Sequence, residues 1–386
     1  MKTESNNIYD VAVVGGGFAG ISAALAAARG GKKVVLFERQ FMVGGLATSG
    51  LITVYLPLCD GYGHQVSFGI AEELFRASVK HGYDCRYPYN WLDGIGTRTE
   101  KDQRFLVQFN PQLFALVAEK MLNEAGVDII YGSFVCDAHV ENRIIDYVAV
   151  ENKSGRTNYY VKSVVDASGD LDVGVFAGAK YDSYTPGNLL AAWYYYTDEK
   201  GYRAKQFGAA DVIYQEEELV TKRFGGIDAK ETSEMVILSH EKILEDYLKR
   251  QNAGENLALS TIASIPQLRM TRKLVGEYVL AYDEQHTRFE DSIGMVSDWI
   301  KRGPVWEVPF RTLYSKEVKN LITAGRITSV DEKLWNIMRV IPCCAVTGEA
   351  AGVAAAMTDD FSTIDIKKLQ EILQANGVVL HESDLK

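Results

Sequence analysis

The chain is short of the features that mark secreted scaffolds, metal centres and membrane proteins. Its five cysteines are odd in number and include no CxxC pair. That fits a reducing compartment better than a disulfide framework, and it offers no ligand set for an iron–sulfur cluster. The six histidines are scattered, without HExxH or comparable spacing, so no metal site is expected. Positive charge is in deficit: 41 lysines and arginines against 51 aspartates and glutamates leave a net charge of −10. Such a balance argues against a general nucleic-acid or anionic-membrane surface, and it leaves room for a local basic pocket. No internal repeat or low-complexity linker breaks the chain. The uncharged stretch 11–28 contains three glycines in a row, and each costs about 1 kcal/mol in a helix interior. Glu4 and Asp10 precede it, where a secretory signal would be basic. No other stretch is long and apolar enough to span a bilayer. The sequence therefore predicts a soluble, cytoplasmic protein with no nucleic-acid and no membrane partner.

What is present is an ordinary globular composition, 47% hydrophobic and 24% charged, on a chain long enough for two or three domains. The most informative stretch is 9–39. Val11-Ala12-Val13-Val14 is an apolar run of buried-strand length. Gly15-Gly16-Gly17-Phe18-Ala19-Gly20 fits GxGxxG, and the alanine-rich run 21–28 is helix-forming. Lys33-Val34-Val35-Leu36-Phe37-Glu38 reads as a second strand ending in an acid, 21 residues past Gly17. Each part has a physical job in binding a dinucleotide. Gly15 allows the tight turn, Gly17 lets backbone approach a pyrophosphate, and Gly20 lets helix and strand pack closely. Phe18 and Ala19 open the helix, whose free N–H groups and partial positive charge face the phosphates. Glu38, followed by Arg39, is placed to accept hydrogen bonds from ribose hydroxyls.

The nucleotide-binding layer is assembled from separated pieces. After the first βαβ unit, Phe109-Asn110-Pro111 begins a helix running to about Ala125, with Pro111 near its first turn. Residues 126–131 read as a strand. Short β-like runs at 134–138, 143–150 and 159–165 suggest an antiparallel meander before the sheet resumes. Val164-Val165-Asp166-Ala167-Ser168-Gly169-Asp170 is a strand ending in a glycine turn, and Leu321-Ile322-Thr323-Ala324-Gly325-Arg326 is another. Residues 342–357 form a closing helix full of Ala and Gly. Between these pieces lie 51–105, rich in aromatics and glycines, and a second stretch from about 180 to 310. The latter is rich in Tyr, Trp and Arg, with a helix-like run at 239–250 and extended runs at 187–197 and 260–280. The expected division is a discontinuous nucleotide-binding domain (1–50, 106–180 and 311–386) and a substrate or cap domain (51–105 and 181–310).

In their order, Gly15–Gly20 with Glu38, Gly44-Gly45-Leu46-Ala47-Thr48, Asp166-Ala167-Ser168-Gly169-Asp170 and Ala324-Gly325-Arg326 resemble FAD flavoproteins of the glutathione-reductase-like superfamily. The last third is more specific. Arg269-Met270-Thr271-Arg272, Gly276-Glu277-Tyr278, Val308-Pro309-Phe310-Arg311, Arg339-Val340-Ile341-Pro342 and Gly348-Glu349-Ala350-Ala351-Gly352 look like the FAD-dependent oxidoreductase family. Its relatives include flavin subunits resembling heterodisulfide reductase A and fumarate-reductase-type enzymes. The resemblance implies an α/β fold: a Rossmann-like FAD-binding domain with a parallel central sheet and a β-meander, plus an inserted α+β substrate domain. It implies non-covalent FAD, His64 lying well beyond the Gly44-Gly45 turn. It further implies that Gly44, Gly45, Leu46 and Ala47 pass near the pyrophosphate and flavin, and that Val135 makes a main-chain contact to adenine. By the same resemblance, Ala167, Ser168 and Gly169 cover the nucleotide, and Gly325 and Arg326 hold ribityl or phosphate oxygens. Many superfamily members have Asp where Arg326 stands, and an Arg there favours direct contact with a phosphate or carboxylate. Pro342 suits a first helical position, and that helix N-terminus would aim N–H groups at flavin N1 and O2. Gly348, Ala350, Ala351 and Gly352 would pack this helix tightly on the first.

The implied activity is an FAD-dependent oxidoreductase moving a hydride between flavin N5 and a small, acidic or carbonyl-bearing organic substrate. The alternative is a flavoprotein electron-transfer subunit acting with a separate redox partner; a third reading is structural or non-redox use of FAD. A second dinucleotide fingerprint is missing, because Gly169 to Gly174 holds an acidic turn, so any oxidant or reductant must be a small molecule or a separate electron-transfer protein. Arg269 and Arg272 are the catalytic candidates, as a bidentate clamp on a carboxylate or as a proton relay. The bland reading pairs them with Glu277 or Asp283, and residues three apart on a strand need not face the same way. Cys343 and Cys344 start the last helix, where a thiolate is favoured, but small buried thiols are commoner. His64 and His81 are lone histidines, and Trp193-Tyr194-Tyr195-Tyr196 is either a stacking surface for a ring or core.

Overall fold

In the computed structural model, which describes residues 8–80, 107–208 and 218–385, regular structure begins with strand β1 (Ile8–Val14), helix α1 (Phe18–Arg29) and strand β2 (Val34–Glu38). Short strand β3 (Val54–Tyr55) and helix α2 (Ile70–Lys80) follow, then β4 (Val107–Gln108) and α3 (Pro111–Glu124). The Asn110 side chain caps α3 by accepting from the Leu113 N–H at 3.1 Å, and Pro111 stands in its first turn. Next come β5 (Asp128–Tyr131), β6 (Phe134–Glu141), β7 (Ile144–Asn152) and β8 (Gly155–Asp166). The meander strands are longer than the apolar runs in the sequence, because paired edge residues need not be apolar.

One seven-stranded sheet organises the molecule. β5, β2, β1 and β8 pair in parallel in that order, with Val11 opposite Val34 and Val13 opposite Val165. β8 does double duty on its other side. Its first half pairs antiparallel with β7, which pairs with β6. Its second half pairs in parallel with β16 (Leu321–Thr323). Alternation along β1 sends Val11 and Val13 to one hydrophobic core and Ala12 and Val14 to another. The sheet is thus buried on both faces, as parallel sheets require. The result is an α/β fold with a Rossmann-like nucleotide-binding core.

The first of those cores holds α1 and α7 (Ile341–Met357). Ten of the twelve residues of α1 are buried, so it has no polar face and must lie inside. A Cβ added at Gly348 would come 2.3 Å from the Ala19 carbonyl oxygen, and one at Gly352 would come 2.2 Å from that of Ala23. The two helices therefore meet backbone to backbone along a row spaced four residues apart.

The remaining elements are α4 (Asp172–Phe176), β9 (Tyr181–Ser183), β10 (Tyr194–Asp198), β11 (Gly201–Lys205), α5 (Ala229–Asn252), β12 (Ala258–Ile262) and β13 (Arg272–Leu274). They are followed by β14 (Ser292–Ser297), β15 (Val305–Pro309), α6 (Glu332–Met338) and α8 (Ile366–Ala375). β10 sits between β11 and β12 in an antiparallel sheet. Tyr194 and Tyr196 form a small core with Ile243 of α5, so the aromatic run is largely core. α5 begins ten residues before the helix-like run in the sequence, capped by Asp228. Only Met235 and Ile243 of α5 are buried, which is why its apolar period is faint.

Candidate functional site

A cleft opens at the C-terminal ends of β1, β2, β8 and β16, the place where open parallel sheets bind ligands. Its empty volume is about 1450 Å³, counted out to solvent at the mouth. Gly15, Gly17, Phe18, Ala19, Glu38, Arg39, Gly44, Gly45, Leu46 and Ala47 line it. So do Val135, Ala167, Ser168, Gly169, Gly325 and Arg326, which arrive from three distant parts of the chain. Arg269 lines it as well; Arg272 does not.

The glycines of the first turn are required for different reasons. Gly15 has φ +99°, and a Cβ there would sit 2.5 Å from the Ala167 carbonyl oxygen. A Cβ at Gly20 would sit 1.8 Å from the oxygen of Gly15. The protein's own backbone demands both. Gly17 is different: its φ is −71°, an ordinary value, and a Cβ there would meet nothing within 4 Å. Neither strain nor crowding explains this glycine, and the cradle it leaves open fits a group that approaches the helix N-terminus. The loop after β2 closes over the turn, with the Gly44 N–H donating to the Gly16 oxygen at 2.7 Å and φ +106° at Gly44. Glu38 is buried beside them. Its Oε2 accepts from the Gly16 N–H and its Oε1 from the Gln40 N–H, both at 2.7 Å. Burial pushes its carboxyl up, and these two bonds oppose the shift.

The turn after β8 is held by charge. Asp170 Oδ1 accepts from Thr271 Oγ1 at 2.7 Å and from Arg326 at 2.8 Å. Arg326 Nε also donates to the Gly169 oxygen at 2.6 Å, and its guanidinium lies across Gly169. An Arg at this position favoured an external phosphate or carboxylate in the sequence; in the structure the carboxylate is the chain's own Asp170. Burial works to raise Asp170, but Arg326 and Thr271 outweigh it and hold the carboxyl below its ordinary range. Asp172, also in the cleft wall, is pushed up to about 6 by burial and then by Asp170 and Asp166. Leu171, between the two aspartates, has φ +58°, a left-handed conformation that side chains rarely adopt.

The two catalytic candidates diverge. Arg269 is 4% exposed and donates from Nη1 to the Gln267 oxygen at 2.7 Å, with its Cζ 5.3 Å from the Trp193 ring centre. It shares its part of the cleft wall with Ile265, Pro266 and Leu268. Arg272, at the start of β13, turns to the Asp170 loop instead. Its Nε donates to the Asp170 oxygen at 2.8 Å and its Nη2 to Asp172 Oδ1 at 2.7 Å. The two arginines do not form one clamp in this structure, since Arg269 lines the cleft while Arg272 is engaged by Asp170 and Asp172. Among the described residues Glu277 pairs with Lys316 and Arg272 with Asp172.

Cys343 and Cys344 are free. Cys344 lines the cleft. Burial pushes the Cys343 thiol well above its ordinary range and that of Cys344 up to about 11, so both are protonated despite the helix N-terminus. His64 is exposed and bonded to Asp60 at 2.8 Å, away from the cleft. His81 lies outside the described residues. The sequence reading missed Gln40, Ser133, Phe134, Asp170, Asp172 and Arg339 as lining residues. Most of them neighbour a residue that was named as a site candidate, and Asp170 and Arg339 stood in motifs that carried the family resemblance. Its Nε and Nη2 donate to Asn336 Oδ1 at 2.9 and 2.6 Å. Among the described residues no group of three or more His, Cys, Asp or Glu is placed to hold a metal ion, and no single helix is long and apolar enough to cross a membrane.

Comparison with known proteins agrees with this geometry. The family model described as FAD dependent oxidoreductase matches residues 10–191 and 190–373. A thioredoxin reductase of Ureaplasma parvum serovar 3 is 29% identical over 81 residues, which is 21% of this chain and 26% of that protein. The chain thus spans about a quarter of the length of the curated relative it matches. A geranylgeranyl bacteriochlorophyll reductase-like protein from Thermoplasma acidophilum superposes with a TM-score of 0.52 at 14% identity, over 96% of this chain and 84% of that one. That likeness is one of fold. The open conformation of a flavocytochrome c3 fumarate reductase aligns over 91% of this chain and 78% of its own, at 14% identity and a TM-score of 0.42.

Proposed function

The chain belongs to the FAD dependent oxidoreductase family, and on that premise we propose that it transfers a hydride between flavin N5 and a small, acidic or carbonyl-bearing organic substrate. Non-covalently bound FAD supplies the two-electron centre. The open cradle at Gly17 supports the fit to its pyrophosphate. Glu38 then accepts from ribose hydroxyls, Val135 meets adenine through its main chain, and the loops at Gly44–Ala47 and Ala167–Gly169 enclose the rest. Gly325 and Arg326 hold the ribityl side, Arg326 largely by bracing Gly169.

One observation carries the substrate reading: a buried guanidinium, Arg269, stands in the cleft wall among apolar side chains. Fixed there, it attracts and orients the anionic or carbonyl end of a substrate with directed N–H donors. Val340 and Ile341 bring the start of α7 to the same cleft, adding the partial positive charge of a helix N-terminus. Arg272 is a positioning residue in this reading. By gripping Asp170 and Asp172 it fixes the segment that carries Arg269. The protonated thiols of Cys343 and Cys344 do not favour dithiol exchange. Electrons enter or leave through a small molecule or a separate electron-transfer protein.

The test is an anaerobic screen of small carboxylates and carbonyl compounds, following flavin absorbance, with the wild type and Arg269→Met. The expected outcome is a compound that changes the flavin spectrum of the wild type, and a Met variant that retains FAD. That variant should lose about 2–5 kcal/mol of productive substrate binding, the usual cost of removing one partner of a desolvated charge contact. Equal rates for both proteins overturn the assignment of Arg269. Bleaching only with a partner protein overturns the small-substrate reading.

A further inference from the structure

The cofactor cleft contains an acidic side chain that the proposed chemistry does not use. Asp172 stands in its wall at the start of α4, behind the strained residue Leu171. Its Oδ1 accepts from Arg272 at 2.7 Å, and among the described residues no hydrogen bond reaches its Oδ2. A carboxylate in a cleft built for a pyrophosphate dianion places like charges together. Three features of the surroundings decide how that conflict is resolved.

We propose that Asp172 takes up one proton when FAD binds, so that this chain holds its cofactor more tightly when that carboxyl is neutral. Only terms that change on binding matter. Arg272 holds Asp172 equally in both states and drops out of the comparison. The bound dinucleotide covers the cleft and removes water from the carboxyl, which favours the neutral form. It also adds negative charge to a cleft whose wall already holds Asp170, which acts in the same direction. Arg39, exposed in the cleft wall, favours the charged form of Asp172 through space, and drawing it toward a phosphate weakens that pull. All three changes favour protonation. The charged groups of the other packed elements do not intervene: on β6, Asp137 pairs with Arg156 and His139 faces Asp146, while Arg326 is engaged with Asp170. The carboxyl starts near neutrality, at about 6, so the coupling falls in an accessible pH range. The step is a simple protonation: solvent gives a proton to the carboxylate, and no electron moves.

Linkage fixes the sign. A group whose pKa rises on binding makes binding strongest at low pH and weaker as pH climbs from the free-state pKa through the bound-state one. Each unit of rise is about a tenfold loss of affinity. The experiment is titration of the deflavinated protein with FAD, followed by flavin fluorescence, from about pH 5.5 to 8.5, with the wild type and Asp172→Asn. The wild-type Kd is expected to rise about tenfold or more across this range, and D172N to lose that slope and bind more tightly than the wild type at alkaline pH. Any slope that D172N retains belongs to Glu38 or Asp170, the other carboxyls in the cleft wall. A second measurement needs no variant: proton uptake per FAD bound by the wild type in weakly buffered solution near pH 7. Zero uptake, or the same slope in both proteins, overturns the proposal. FAD that binds at no pH would instead overturn the cofactor site on which the proposal rests.

Discussion

At the scale of single residues, the glycines of the first turn separate folding from binding. Gly17 is extended, with ψ −179°, and has open space where its side chain would be. Alanine there suits the backbone and narrows the unfolded ensemble, so Gly17→Ala should be neutral or up to about 1 kcal/mol more stable. It should also lose most bound FAD, because the methyl occupies the cradle. Gly20→Ala should do the reverse of this stability effect: its Cβ collides with the Gly15 carbonyl, so the protein should unfold more easily. Thermal midpoints and flavin absorbance of the two purified variants check both outcomes. A Gly17→Ala protein with full flavin would remove the pyrophosphate from this turn. The backbone demands at Gly15 and Gly20 were legible in the sequence because spacing within about thirty residues fixes them. The orientations of Arg272 and Arg326 were not. Each is decided by a carboxylate more than ninety residues away, brought close only by the sheet.

Between elements, one buried acid ties α7 to the start of α2. Glu349 on α7 is 1% exposed, and its Oε2 accepts from the Ile70 N–H at the start of α2, at 2.7 Å. Its Oε1 is buried with no hydrogen-bond partner among the described residues. Burial pushes this carboxyl up to about 7, Glu73 adds to the rise, and Arg29 and the Ile70 bond oppose it. The folded state therefore keeps the proton more readily than the unfolded chain, whose carboxyl titrates near the ordinary 4.5. Stability from this group is fully present below about pH 4.5 and is lost as pH rises through about 7. The expected loss is roughly 3 kcal/mol at most. Glu349→Gln keeps an acceptor for Ile70 and cannot ionise, so its stability should be flatter between pH 5 and 8. Urea unfolding of both proteins at several pH values checks this, and parallel curves would refute it. The helix pair itself was readable, since Gly348 and Gly352 sit four apart on a small-residue face. The acid between them was not, because nothing local shows what Glu349 meets.

For the molecule as a whole, the chain returns to one sheet three times, at 8–38, 128–166 and 321–323, and each return brings a turn to the same cleft. Those returns were visible because each strand ends in its own glycine turn. Residues 181–310 were harder to read: their small antiparallel sheets are stabilised by pairings between distant segments, such as Arg272 with Ser183 in β13 and β9. Among the described residues one strand–turn–helix unit has the shape of a dinucleotide site. The turn after β8 is filled by the chain's own side chains. Asp170 occupies it with Arg326 and Thr271, and α4 is only five residues long. Two carboxylates and a short helix make a poor phosphate site, since neither a strong helix dipole nor open N–H groups face outward. NADH or NADPH should therefore reduce the bound flavin slowly and without saturation. Stopped-flow absorbance under anaerobic conditions is the measurement. Fast, saturable reduction by either nucleotide would mean that a second nucleotide site exists and that reducing equivalents need no separate carrier.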